Sequence, residues 1–371
     1  MFRKRRLGLQ VTAPLMAVGF SVLVGSVIML AIGANPLQAY AVLFGFSLGR
    51  IDSIASILFK ATPLIFSGLA MVVSFRMGLF NIGVEGQYMV GAFAAALAGF
   101  GLKGLPAIIH IPIVMAAGMA GAMLWAALPI YLKIKRGVHE VISTIMMNYI
   151  AYSFLHWLLA DVFLDRTQVL GQGGFGSPRV RTPELAASAR MPTLHKLFAA
   201  VGIQLPHYIY VSYLLFIGIA LAVVVHYIIW KTPFGYELRA VAQNGPAAAA
   251  AGINSERVMV KAFLLSAAIA GLAGLSDLMT FFGYYDIDFP RSYGFNGIAV
   301  ALLGRNSAAG VIVGALLFGM LARGAEGVQV MTGVPAEVIT ILQSVMILSI
   351  VVAYEIITRY VRTQRKKEVG A

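Results

Sequence analysis

Glu140, Thr144, Asn148, Tyr152 and His156 recur at intervals of four in an otherwise apolar stretch, with Ser143 beside them. On a helix this spacing winds a polar stripe slowly along one side for about 24 Å. Hydrocarbon cannot face such a stripe cheaply, because each unsatisfied polar group there costs several kcal/mol, so it must face protein or water. Two uses fit. One is hydrogen bonding between packed helices, worth about 0.6 kcal/mol per contact on average; the other is the lining of a passage for a polar, ring-shaped solute. Glu140 belongs at the mouth of such a passage rather than its middle. Asn81, Glu85 and Tyr88 form a second group at three- and four-residue spacing. A carboxylate so close to an apolar run is a functional candidate, and its duller use is an ion pair with Arg76. Asp277 lies near the end of another apolar run, placed either to meet a solute or to reach water, and Lys60 is expected to reach outward along its alkyl stem. Asn296 enters through a faint internal symmetry: Phe80-Asn81-Ile82-Gly83 and Phe295-Asn296-Gly297-Ile298 each open an apolar helix beside glycine. Paired interrupted segments of this kind mark the binding site in many transporters.

Other chemistry is missing its usual signatures. The chain has no cysteine, which excludes disulfides, thiolate metal sites and cysteine nucleophiles. No Gly-x-x-x-x-Gly-Lys-Ser/Thr loop is present to cradle nucleotide phosphates, and no His-Glu-x-x-His metal site occurs. No cofactor or metal is expected, and any ATP hydrolysis must belong to another polypeptide.

The elements that carry these residues are membrane spans. Apolar residues make up 60% of the 371 positions and charged residues 12%, with a mean hydropathy of +0.85, far from the balance of a soluble domain. Apolar runs near 14–34, 53–75, 82–100, 108–132, 138–160, 207–230, 258–282 and 337–357 are each long enough to cross a bilayer as a helix. The stretch Tyr293 to Gly304, followed by a second run from Ser307 to Leu321, is too short for a plain span and reads as a broken or re-entrant pair. This predicts an all-α polytopic membrane protein of about ten helices, a single transmembrane domain over 1–371 with an external loop at 161–206. Phe2 to Arg6 followed by an apolar run resembles a signal peptide, yet the run continues for about 20 residues, which suits a retained first span better than a short cleaved segment. The net charge of +13 does not point to nucleic acid, since the basic residues cluster at Arg3 to Arg6, Lys133 to Arg136 and Arg359 to Lys367 beside apolar runs. That pattern sets topology and puts both termini in the cytoplasm. Gly91, Ala95 and Gly99, and again Gly310 and Gly314, are spaced for close helix packing.

The inside loop 231–257 is the most informative polar segment. Thr232-Pro233-Phe234-Gly235 ends the preceding span; a short helix from Tyr236 to Gln243 meets the breaker Asn244-Gly245-Pro246; Ala247 to Ala251 is closed by Gly252; and Asn254 or Ser255 caps the next span. So many alanines leave little to bury in lipid but make a smooth surface that fits a cleft on a partner. Its plain alternative is an interfacial connector. The run Thr232 to Val241 with Asn244, Ala248-Ala249 and Gly252-Ile253 resembles the coupling loop of the binding-protein-dependent ABC importer permeases that serve sugars, branched-chain amino acids and nucleosides. Phe75 to Gln87 and Glu140 to Ile150 are similar to the nucleoside branch, and Asn296 to Gly304 agrees with the family. The resemblance implies a ten-helix permease in a bacterial inner membrane, paired with a second permease subunit in a heterodimer, served by an external binding lipoprotein and driven by a cytoplasmic ATPase. It assigns Gly235, Arg239, Asn244, Ala248, Ala249, Gly252 and Ile253 to ATPase coupling. Gln243 and Gly245-Pro246 depart from the family pattern. A secondary carrier would instead hold ionisable residues near the bilayer midplane, whereas most acids here sit near span ends.

Overall fold

A computed structural model describes residues 19–166, 179–200 and 202–335, and parts of 337–352. The basic clusters at both ends of the sequence and most of the last expected span lie outside the described residues. Among the described residues the chain is helical, without a strand beyond the isolated pairings of Arg181 with Asp286 and of Thr193 with Ser212. It divides into two compact units, one formed by 1–57 with 316–371 and the other by 58–315.

The first unit contains α1 (Gly19–Ala31) and α2 (Pro36–Leu48). The sequence pattern did not predict α2, whose 13 residues are too few to span. Its start signal is nevertheless local. Asn35 accepts from the amides of Leu37 and Gln38 at 3.0 and 3.4 Å, and Pro36 occupies the first turn, where a missing N–H costs nothing. The hydroxyl of Ser47 donates to the Met320 carbonyl at 3.0 Å, and Arg323 lies 4.6 Å over the Phe46 ring while pairing with Glu326 at 2.8 Å.

Helices α3 (Ile51–Met77) and α13 (Ala308–Thr332) run through the division between the units. The second unit holds α4 (Val84–Gly101), α5 (Ala107–Arg136), α6 (Glu140–Trp157), α7 (His195–Ala200), α8 (Leu214–Lys231), α9 (Pro233–Gln243), α10 (Gly245–Ala250), α11 (Ser255–Ala270) and α12 (Tyr293–Leu303). Four helices, α3, α5, α8 and α13, are long and apolar enough to cross a membrane among the described residues, which makes the chain a multi-pass membrane protein. At 11 residues, α12 rises only about 16 Å, in keeping with the short member of the expected pair, and α13 extends well past Leu321 to Thr332.

One expected span is interrupted. The run 258–282 breaks after Ala270, turns through 271–274 and resumes as a single π-helical turn at Asp277–Phe282. The break lies where three helices meet without side chains: a Cβ on Gly91 of α4 would stand 2.7 Å from the Gly118 carbonyl of α5 and 2.9 Å from the Gly271 Cα. Close packing is therefore the use of Gly91, and likewise of Gly314, where a Cβ would stand 3.0 Å from the Val300 carbonyl. The described part of the loop 161–206 builds no core of its own and is stitched to helix ends. Thr182 donates to Tyr285 and Leu185 to Gly283, both at 2.8 Å, and Ala186 donates to Gly99 at 3.0 Å. The imidazole of His110 in α5 lies 2.9 Å from the Ser188 hydroxyl.

Candidate functional site

Glu85 stands in the first turn of α4 and is fully buried. Its ion pair with Arg76 does not form: Arg76 donates to the Asn306 carbonyl at 2.8 Å. The carboxylate instead accepts the backbone amides of Ser292 at 2.6 Å and Gly294 at 2.9 Å, the hydroxyl of Tyr152 at 3.2 Å, and a longer contact from Tyr88 at 3.3 Å. Tyr88 makes its shorter bond, 2.7 Å, to the Pro290 carbonyl. Free amides at the start of a helix are ready anion donors, so Glu85 fastens the start of α12 to α4 and α6. Gly294 makes this approach feasible, since a Cβ there would collide with the Glu85 backbone. The two helix starts singled out by their similar sequences therefore meet at one carboxylate.

Asn81 and Asn148 complete this junction. The side-chain amides of Asn81 and Gln87 exchange two hydrogen bonds of 3.0 Å, and Asn81 also donates to Ser266 at 3.1 Å. Asn148 accepts from the Gly86 amide at 2.9 Å and donates to the Ile82 carbonyl at 3.0 Å. Thr144 turns its hydroxyl back to the Glu140 carbonyl at 2.7 Å, and Glu140 pairs with Lys133 of α5 at 2.8 Å. The polar stripe of α6 thus divides. Its first three members are buried against protein, where they act as hydrogen-bond partners.

The last two open into space. A cavity of about 360 Å³ is bounded by Tyr152, Ser153 and His156 of α6 and by Tyr285, Asp286 and Arg291 from the segment leading into α12. The Arg291 guanidinium lies 5.3 Å over the Tyr152 ring. Asp286 is buried, with one carboxylate oxygen lacking a hydrogen bond among the described residues. Burial, and then the neighbouring charge of Asp288, raise its pKa above the usual aspartate value, against the pull of Arg179. An aromatic ring, a carboxylate and a cation together suit a flat polar solute that carries donors. The sequence pattern missed Tyr285, Asp286 and Arg291, because they sit in a turn whose only local signal is its charge.

Asp277 neither reaches water nor lines this cavity. It is 3% exposed on the π turn and lies near Tyr293 and the charge of Lys60. One of its oxygens, with the hydroxyls of Ser276 and Thr280, has no hydrogen-bond partner among the described residues. Asn296, half-buried in α12, joins neither group.

In the loop 231–257 the first helix starts at Pro233, three residues earlier than predicted, because Thr232 caps it by accepting from Gly235 at 3.1 Å. Asn244 caps α10 by accepting from Ala247 at 3.1 Å, Gly252 takes a left-handed φ of +82°, and Asn254 rather than Ser255 caps α11. Gly235 permits the tight corner between α8 and α9, where a Cβ would strike the carbonyls of Ile228 and Ile229. Arg239 closes the same corner, donating to Ile229 and lying 4.9 Å over Trp230. Ala248 faces inward, 5% exposed, in an apolar cluster with Leu79, Leu238 and Phe263. It was expected to face a partner, and the helical turn directs it to the chain's own core instead. Ala249 is exposed and Ile253 half-buried.

Comparison with known proteins places these features in context. Residues 53–351 match the family described as the branched-chain amino acid transport system / permease component. A guanosine ABC transporter permease protein of Bacillus subtilis is 36% identical over 96% of each chain. A glucose ABC transporter permease protein of Haloferax volcanii is 33% identical over 94% of this chain and 88% of its own. A nucleoside ABC transporter permease protein of Lactococcus lactis is 32% identical over 93% of this chain and 92% of its own. Bacillus subtilis and Lactococcus lactis each contribute a second, more distant permease protein as well. No solved structure matches the chain.

Proposed function

Since the chain belongs to the branched-chain amino acid transport system / permease component family of ABC transporters, we propose that it forms the membrane passage of an ATP-driven importer of nucleosides. The observation that carries this is the 36% identity, end to end, with a guanosine permease protein. The cavity beside Tyr152 supports it: a base can lie on Tyr152 while ribose hydroxyls or a ring amine donate to the Asp286 carboxylate. As a permease subunit the chain conducts cargo and hydrolyses no ATP itself. An external binding protein delivers the nucleoside and a cytoplasmic ATPase docks on α9 and α10, with exposed Ala249 at the contact. Two permease proteins in each of two relatives' organisms favour a second, different permease subunit as its pair. About ten spans with both termini in the cytoplasm agree with the distribution of basic residues.

A second reading, import of a simple sugar, rests on the glucose permease relative at 33% identity. Uptake of labelled guanosine into proteoliposomes holding this chain with its ATPase and second permease separates the two. Uptake should require ATP and the binding protein, and should be blocked by excess unlabelled nucleoside but not by glucose. Block by glucose alone replaces the nucleoside assignment with the sugar, and uptake by this chain alone without ATP removes the importer.

A further inference from the structure

A second cavity, of about 410 Å³, lies between the end of α5 and the start of α11, away from Glu85 and Tyr152. Its floor is apolar, formed by Ala127, Ile130 and Ile134 of α5 and by Val260 and Leu264 of α11. Its rim is charged, with Lys135 on α5 and Arg257 on α11, and the carboxylate of Glu256 also lines it. Lys133 and Arg136 on α5 and Lys261 on α11 extend this positive end. Lys133 is matched by Glu140 at 2.8 Å. Lys135 meets Glu256 only at 3.5 Å with both side chains more than half exposed, and such a pair is weak and readily exchanged.

We propose that this groove is a seat for an anionic phospholipid, its phosphate between Lys135 and Arg257 and one acyl chain along the apolar floor. A free phosphate would have no use for the floor, and a zwitterionic lipid would gain little from the rim. The face below the rim is already of the kind that meets lipid. Leu124, Leu128 and Tyr131 follow one another at helical spacing on α5 and are 78%, 49% and 54% exposed, so the groove continues into an apolar stripe along which a chain can lie. α11 runs directly from the groove to the three-glycine crossing at Gly271, and the lipid therefore packs against the element that follows the proposed coupling loop.

Native mass spectrometry of the delipidated complex, titrated with phosphatidylglycerol or phosphatidylcholine of the same chain length, tests the seat. Each basic residue near an anionic headgroup is worth roughly a fivefold preference, so two give at most about 25-fold tighter binding of phosphatidylglycerol, and Glu256 at the same rim brings this down toward about fivefold. The double variant Lys135→Gln with Arg257→Gln should bring the two lipids close to parity. Leu264→Trp, which fills the floor and keeps both cations, should abolish the tight site. Unchanged thermal unfolding of the complex shows that each variant is folded, and a variant that melts early is replaced by Val260→Phe or by Lys135→Gln alone. Equal binding of both lipids by the unaltered complex, tight binding retained by Leu264→Trp, or displacement of the lipid by inorganic phosphate would each overturn the proposal. So would crosslinking of a photoreactive residue at Tyr131 to a protein subunit instead of to lipid.

Discussion

Glu85 draws its donors from three separate parts of the sequence, so its replacement is felt at a junction and not at one contact. Glu85→Gln keeps the shape but turns an NH₂ toward an amide that needs an acceptor. Leaving a buried donor unmatched costs about 1–3 kcal/mol, and the purified variant should unfold at a clearly lower temperature than the parent; an unchanged midpoint would remove Glu85 as the fastening of α12. Asp286 gives the opposite sign. Because burial and Asp288 hold its folded pKa above the unfolded value, the folded state binds this proton more readily, and ionisation costs stability. That cost is absent below the unfolded pKa of about 3.9, grows as pH rises to the folded value and stays constant above it. Asp286→Asn should therefore melt higher than the parent at neutral pH, with the gap closing in acid. It should also weaken nucleoside uptake if Asp286 accepts a cargo donor. Parallel melting curves at all pH values would count against the first claim and unimpaired uptake against the second.

Helix α6 shows how far a pattern can be followed. The four-residue polar stripe from Glu140 to His156 was legible in the sequence, and so was its refusal of lipid. Its division into a buried half and an open half was not, because the cover over Thr144 and Asn148 comes from the turn before α4, and the opposite wall of the cavity from residues 285–291. Single cysteines at Tyr152 and His156, in this cysteine-free sequence, should react with water-soluble thiol reagents, while cysteines at Thr144 and Asn148 should not. Equal labelling at all four would place the whole stripe on an open passage. The short helices after α8 were legible from Pro233, Asn244 and Gly252, each acting locally, the first and last through the backbone and Asn244 through its side-chain cap. Which alanine faces inward was not, since a run of identical residues carries no periodicity. Ala248→Glu should bury an unpaired charge and lower the amount of folded protein. Ala249→Glu should reach the membrane in normal amount, yet lose the ATPase on purification and with it uptake. If both variants retained the ATPase, α10 would not be its docking element.

For the molecule as a whole, the proposed sidedness of the loops rests on the basic residues. Reporters fused after Arg136 and after Asn244 should read inside, and one after Glu184 outside; an inside signal at Glu184 would remove the ten-span arrangement. The meeting of distant segments at Glu85 also has a consequence in time. Ser292 lies 207 residues beyond Glu85. At roughly 5–20 residues per second of synthesis, the carboxylate waits about 10–40 s for the first of its two backbone donors. For that interval, of the four groups that donate to Glu85 in the finished chain, only Tyr88 and, later, Tyr152 have been made. Any polypeptide released before α12 keeps that defect permanently. The hydrogen bonding of this one carboxylate thus differs between an incomplete chain and a finished one.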